Sequence, residues 1–309
     1  MQDSRTRLRV YRVVLFGWIS QRVYQAPAST EIREVAGPAI FTRMKFKDCY
    51  KGFLNLSYRT DRLTHMTEQL NRVGIDAVRH AGKLPHEVDQ HSPKYRKMFY
   101  RTPGAIPCHL GQVEIMKTAL LQNRDAVVFE DDCVFCSDFQ KRIEYIERWT
   151  ETHEWDVIWL GASFHCSPPW WHRKGHRERE LEDCSCELHR DAETTDDPRM
   201  MRTYGAFATF AYIVNKDSIE KILTLFDQNI HTSIGIDWLF IKLQPQLKCY
   251  SFVPGCVRQM DNQSDIGNGI TVWSGFLKLN GTKENSAYVY QERMEDFDPE
   301  TFDWGEAKR

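Results

Sequence analysis

The run Asp125-Ala126-Val127-Val128-Phe129-Glu130-Asp131-Asp132-Cys133-Val134-Phe135 sets three consecutive carboxylates between apolar β-formers. Asp125 to Phe129 predicts a buried strand, with the carboxylates at its C-terminal end. In α/β proteins the side chains at such ends enter the crevice where ligands bind. Along an extended segment Glu130 and Asp132 point one way and Asp131 the other. Two carboxylates on one face repel unless a cation sits between them. Hard divalent ions such as Mn²⁺ and Mg²⁺ take oxygen ligands and keep positions for water and phosphate oxygens. A solvated turn with its charges outward competes with that reading, and strand-end placement alone leaves the two level.

The flanking segments alternate short apolar runs with amphipathic helices, which predicts an α/β fold from Cys49 onward. Tyr50–Leu56 reads as a strand and Asp61–Val73 as a helix, with Leu63, Met66, Leu70 and Val73 on one face. Ile75–Val78 reads as a weaker strand, and Pro85–Thr102 as polar and irregular. Cys108–Leu121 and Asp138–Thr150 read as helices around the acidic strand, followed by a strand at Trp155–Leu160. Order resumes at Ala206–Val214, then a helix at Asp217–Phe226 capped by Asn215 or Asp217. Gly235–Leu243 and Cys249–Val253 supply the last regular elements. Residues 1–45 read as an N-terminal extension, 165–202 as an inserted loop or lid, and 276–309 as a tail. The domain between them spans 46–275.

The 309 residues are 41% hydrophobic and 27% charged, the balance of a globular protein. A formal charge of −2 gives no bulk attraction to nucleic acid or anionic lipid. No stretch approaches the roughly 18 apolar residues that span a bilayer. The nine cysteines follow no scaffold spacing, which favours reduced thiols and a cytoplasmic location over a disulfide framework. A membrane-peripheral site or the ER lumen ranks behind it. Cys166, Cys184, Cys186 and four histidines share the 165–202 stretch without paired Cys-x₂-Cys spacing, so a charged acceptor-binding loop outranks zinc. Trp170-Trp171 within it suits stacking on a pyranose face.

Several segments in order resemble glycosyltransferase family 25, which includes lipooligosaccharide and collagen galactosyltransferases. The acidic run is similar to that family's Leu-Glu-Asp-Asp signature. Tyr50–Arg62 is similar to its opening strand and Arg-rich turn, Trp155–Gly161 to a later strand, Ile234–Phe240 to its Pro-x-Asp stretch, and Pro254–Ile266 to its terminal Gln and Ser-Asp-Ile segment. Gly104–Lys117 resembles its central helix with one departure. The family's Ser-His pair is replaced by Gly111 and Gln112, and His109 lies one turn earlier.

The resemblance implies a GT-A-like (Rossmann-like) mixed sheet flanked by helices, forming a single catalytic domain. It implies transfer of a hexose, galactose foremost, from a UDP-sugar to a glycan or other hydroxylated acceptor, with inversion, in glycan biosynthesis. Mn²⁺ or Mg²⁺ would be held by Glu130, Asp132 and Asp265. Asn55, Leu56, Arg62, Gln112, Asp131 and Gln259 would contact the donor, Asn55 through a uracil edge. An inverting transfer also needs a carboxylate to deprotonate the acceptor, and Asp237 is the candidate, with a helix N-cap as its equal alternative. Two other functions compete: a degenerate, non-catalytic glycan- or protein-binding domain, and a transferase acting on modified nucleic-acid bases. The lack of net basicity argues against the second.

Overall fold

The computed structural model describes residues 43–162 and 197–271, except positions 90, 102–103, 198, 205, 207, 253–254, 261, 264 and 267–269. Residues 1–42 of the predicted extension, residues 165–196 of the predicted 165–202 insert with Trp170, Trp171 and its Cys/His group, and the predicted tail at 276–309 lie outside the described residues.

The strands are β1 (Tyr50–Leu56), β2 (Val78–Gly82), β3 (Ala126–Glu130), β4 (Cys133–Phe135), β5 (Val157–Trp159), β6 (Met200–Arg202), β7 (Ala211–Val214), β8 (Cys249–Phe252), β9 (Val257–Gln259), β10 (Asn262–Gln263) and β11 (Ile270–Thr271). The helices are α1 (Thr60–Val73), α2 (Arg96–Arg101), α3 (Ala105–Leu121), α4 (Phe139–Trp149), α5 (Lys216–Asn229) and α6 (Ile236–Leu243). Seven strands form one mixed sheet in the order β2-β1-β3-β7-β5-β8-β6. β1 runs parallel to both β2 and β3, whereas β3 meets β7 antiparallel. β3 therefore stands where a parallel half gives way to a mixed one, in which β7 and β6 run antiparallel to their neighbours while β5 and β8 pair parallel.

Strand side chains alternate between two cores, as the period of two requires. Val127, Phe129, Ile158 and Ile213 face a layer built from α1 and α4, through Met66, Leu70, Ile143 and Ile146. Ala126, Val128, Trp159 and Tyr212 face the opposite layer, built from α3, α5 and α6, through Ile115, Met116, Ile222 and Phe240. The fold is α/β with a mixed sheet flanked by helices, as the sequence predicts.

Helix ends follow their local chemistry. Gly74 closes α1 with φ +67°, the left-handed conformation glycine adopts without cost. Asn215, not Asp217, caps α5, its side chain accepting from the Asp217 amide at 3.0 Å. β2 lies three residues beyond the strand read at Ile75–Val78. Ile75 is buried against the end of α1, and the edge strand itself reads Val-Arg-His-Ala-Gly, with no apolar alternation to announce it. Residues 85–101 are more ordered than their composition suggests, with short 3₁₀ turns at 85–87 and 93–95 leading into α2. The six cysteines among the described residues are buried and unpaired. No helix among those residues is long and apolar enough to cross a membrane.

Gly161 follows β5 where the chain at 256–257 crosses it, both amides donating to the Leu160 carbonyl. A Cβ at Gly161 would collide with the Val257 carbonyl oxygen and come within 2.9 Å of the Phe210 ring. The obstruction is backbone and cannot swing away. Gly161→Ala is therefore expected to cost about 1–3 kcal/mol by urea denaturation. A loss indistinguishable from zero would contradict this close approach.

His109 lies within α3, 4% exposed, with its ring 5.6 Å from that of Phe226 and its Nδ1 without a hydrogen-bond partner. Burial, with lesser repulsion from Lys94 and Lys117, lowers its pKa from 6.5 to about 3. Below pH 6.5 the unfolded chain takes up a proton that the folded chain refuses, so stability falls as pH falls toward 3. Between pH 7 and 5 this one group is expected to remove about 2 kcal/mol. His109→Leu should flatten that part of the urea-measured pH profile, and an unchanged slope would refute it.

Candidate active site

β3 ends at Glu130, and the chain turns through Asp131 and Asp132 into β4, which leaves the main sheet to pair antiparallel with β9. The acidic triplet thus occupies the junction between sheet and ribbon. The Glu130 amide donates to the Phe210 carbonyl at 2.8 Å, and the Asp132 carbonyl accepts from the Met260 amide at 2.7 Å. Glu130, Asp131 and Asp132 all line a cleft with Leu54, Leu56, Tyr58, Arg62, Lys83, Leu84, Pro85, Cys108, Gln259 and Asp265. One wall is apolar and the floor is ionic.

Asp131 turns toward α1 and the end of β1. Its oxygens accept from Asn55 Nδ2 at 2.7 Å and Arg62 Nη1 at 2.9 Å. Arg62 Nη1 also lies 3.5 Å from Asp132 and 3.7 Å from Asp265. One buried guanidinium is shared by three carboxylates, two adjacent in the acidic turn and one from residue 265.

Asn55 is 1% exposed and already engaged. Its Nδ2 also donates to the Arg59 carbonyl at 3.1 Å, and its Oδ1 accepts from Arg79 at 2.9 Å. It braces the acidic turn and has no free edge for a uracil base. Leu56 lines the cleft wall.

Glu130 turns the other way, into the layer of α3 and α6. Gln112 Nε2 donates to its Oε1 at 2.9 Å and contacts Thr209 Oγ1 at 3.3 Å, while Gln112 Oε1 accepts from the Tyr212 hydroxyl at 2.8 Å. Thr209 in turn donates to Asp237 Oδ1 at 2.5 Å. Gln112, fully buried, is therefore the bridge between Glu130 and Asp237 and not a cleft contact. Its neighbour on the helix, His109, packs away against Phe226 and takes no part. Asp237 sits one residue inside α6, whose N-cap is Gly235, so the capping alternative does not hold. Asp237 is half-buried and does not line the cleft of the acidic turn. Gln259 reaches Glu130 Oε2 at 3.5 Å.

Burial raises the pKa of Glu130 well above the usual carboxylate range, and the nearby Asp132 and Asp237 raise it further. Burial likewise lifts Asp132 to about 6 against the opposing pull of Arg62. Burial also raises Asp237, opposed by the Thr209 hydrogen bond. Acids held above their ordinary range by burial are the kind of group that cation binding or proton transfer requires.

Glu130 and Asp132 fit a divalent ion. Asp132 Oδ1 is buried without a hydrogen-bond partner, and Glu130 Oε2 has a single long contact. Two hard oxygen donors facing a cleft suit Mn²⁺ or Mg²⁺, which bind through one or two carboxylates and complete their shell with water and phosphate. Asp265 does not fit as a third ligand. Its Oδ1 accepts from Tyr58 and its Oδ2 from Arg59, so both oxygens are held by protein donors. Among the described residues no three His, Cys, Asp or Glu side chains converge as a metal cage.

The family model described as glycosyltransferase family 25 (LPS biosynthesis protein) matches residues 53–239, more than half of the chain. Among curated proteins none matches it. The matched span begins within β1 at Phe53, contains the acidic turn, Gln112 and Asp237, and ends before Gln259 and Asp265.

Proposed function

The chain belongs to glycosyltransferase family 25, and from that premise we propose that it transfers a hexose from a UDP-sugar to an acceptor hydroxyl in glycan biosynthesis. The observation that carries this reading is the acidic turn at the end of β3, where Glu130 and Asp132 both face the cleft and one Asp132 oxygen lacks a partner. Galactose and an inverted linkage are what the resemblance to the galactosyltransferases implies.

Glu130 and Asp132 would hold Mn²⁺ or Mg²⁺, which supplies Lewis-acid stabilisation of the leaving diphosphate. Arg62, kept in place by Asp131, adds fixed positive charge beside the same position. Leu54, Leu56, Leu84 and Pro85 form the apolar wall that excludes water from the donor. Asp237 lies outside the donor cleft but is linked to Glu130 through Thr209 and Gln112. It would take the hydroxyl proton of an acceptor that enters on the α6 side of Glu130, and its raised pKa suits a general base. The new bond forms between acceptor oxygen and anomeric carbon as the anomeric carbon–oxygen bond to the diphosphate breaks. The nucleoside diphosphate leaves with the electron pair. Thr209 and Gln112 hold Asp237 and Glu130 in fixed relation, so acceptor and donor carboxylates move as one rigid unit.

A panel of nucleotide sugars, each with Mn²⁺ and a set of glycan acceptors, tests the reading through nucleotide release. UDP-hexoses are expected to turn over. Saturable glycan binding without nucleotide release from any donor would leave the non-catalytic alternative in its place.

A further inference from the structure

Asp265 stands where the family resemblance puts a metal ligand, yet cations surround it. Its Oδ1 accepts from the Tyr58 hydroxyl at 2.8 Å, its Oδ2 accepts from Arg59 Nη1, and Arg62 Nη1 lies 3.7 Å from that same Oδ2. All three donors belong to one short stretch, the turn after β1 and the first turn of α1. That stretch is rigid. The Arg59 amide donates to the Leu56 carbonyl at 2.9 Å, and the Leu63 amide to the Arg59 carbonyl at 3.0 Å. Asp61 holds the other edge of the Arg59 guanidinium at 2.8 and 3.0 Å. The carboxylate they grip arrives from 206 residues away in sequence.

Two guanidinium groups and a hydroxyl converging at the start of a fourteen-residue helix form a donor set made for an oxyanion. Tyr58, Arg62 and Asp265 all line the cleft that carries the acidic turn. We infer that Tyr58, Arg59 and Arg62 form a phosphate subsite, and that Asp265 is an internal anion occupying it until a substrate phosphate displaces it. The inference rests on the proposed donor reading only for the source of that phosphate, a nucleoside diphosphate.

The exchange is energetically open. The Asp265 side chain is 20% exposed, so its carboxylate can return to water. Asp131 and Asp132, at 8% and 5%, stay beside Arg62 and keep it in place while the outer partner changes. A phosphate group brings more charge and more acceptor oxygens than the single carboxylate it replaces.

Titration calorimetry with inorganic pyrophosphate, in chelator and without divalent metal, tests this on the full chain. Asp265→Asn is expected to bind about tenfold more tightly than the parent, because the site no longer spends most of its time self-occupied. Arg59→Gln is expected to bind at least tenfold more weakly, and the double variant should lose the gain. Asp265→Ser serves as the second test if Asp265→Asn fails to fold, judged by thermal melting. Equal or weaker binding in the Asp265 variant, or a gain that survives in the double variant, overturns the inference. Repeating the titration with UDP separates the sources. A gain confined to pyrophosphate keeps the subsite and removes the nucleotide as its ligand, whereas a gain with both supports the nucleotide.

Discussion

Asp132→Asn is expected to lower sugar transfer by at least a hundredfold while leaving the protein as stable as before, or more so. The loss follows from the site chemistry. Asp132 lines the cleft and carries a buried, unpartnered oxygen, and removing one preorganised electrostatic group typically costs 10²–10³ in turnover. The retained stability follows from the same burial. Asp132 is held at a pKa of about 6 by burial, and beside Asp131 its ionised form is a burden on the fold at neutral pH. Because the folded value lies above the unfolded one, the carboxylate destabilises above pH 6 and not below the unfolded pKa. An amide removes that charge, and Arg62 keeps Asp131 and Asp265 as partners. Turnover by nucleotide release and thermal melting of the same preparation check both halves. Full activity in the variant would remove Asp132 from the mechanism. A large fall in melting temperature would make the charge structural instead.

Arg62→Leu has the largest expected effect on folding. Its guanidinium is buried with Asp131 at 2.9 Å and Asp132 at 3.5 Å. Removing one partner of a buried ionic cluster leaves uncompensated charge, which costs about 3–5 kcal/mol. Urea denaturation should show that loss. Adding Asp131→Asn to the variant should recover part of it, because the stranded charge is then gone and the two effects are coupled. A single-variant loss under about 1 kcal/mol would mean the cluster is wetter than its burial implies. Arg62→Lys would restore charge without the planar fork that spans Asp131 and Asp132, so recovery should be partial.

The sheet and its two helical layers were legible because their signals are local. Val127 and Phe129 alternate with Ala126 and Val128, and α1 carries Met66, Leu70 and Val73 on one face. β2 was read three residues early, at Ile75–Val78, because an exposed edge strand carries no apolar pattern to fix its bounds. β6 escaped because three residues, Met200–Arg202, sit at the end of a stretch whose composition reads as loop. The acidic turn was legible as a place, and its partners were not. That Asp131 faces away from Glu130 follows from strand geometry, but what it meets does not. Asn55 and Arg62 reach it across 76 and 69 residues of sequence. Asn55 read as a base contact because a free amide suits one, whereas tertiary packing had already used both its ends. Gln112 was visible as a departure from the family's Ser-His pair. That it joins Glu130 to Tyr212 and Thr209 required α3, β3 and β7 to be laid side by side. A buried Gln beside a strand-end acid is a faint signal that such a bridge exists.

The position of the acidic triplet between the main sheet and the β4–β9 ribbon makes it a place where the site can open before the sheet does. The ribbon is three residue pairs long, held at its ends by the Met260 amide on the Asp132 carbonyl and the Cys136 amide on the Cys256 carbonyl. β3, by contrast, is bonded on both sides within a seven-stranded sheet. Short, peripheral pairings open at lower free energy than central ones. The Met260 amide should therefore exchange its hydrogen sooner than that of Val128, and transfer should fade at urea concentrations that leave the sheet's circular dichroism intact. The turn that gathers the charges thus hangs on a pairing weaker than the sheet it leaves.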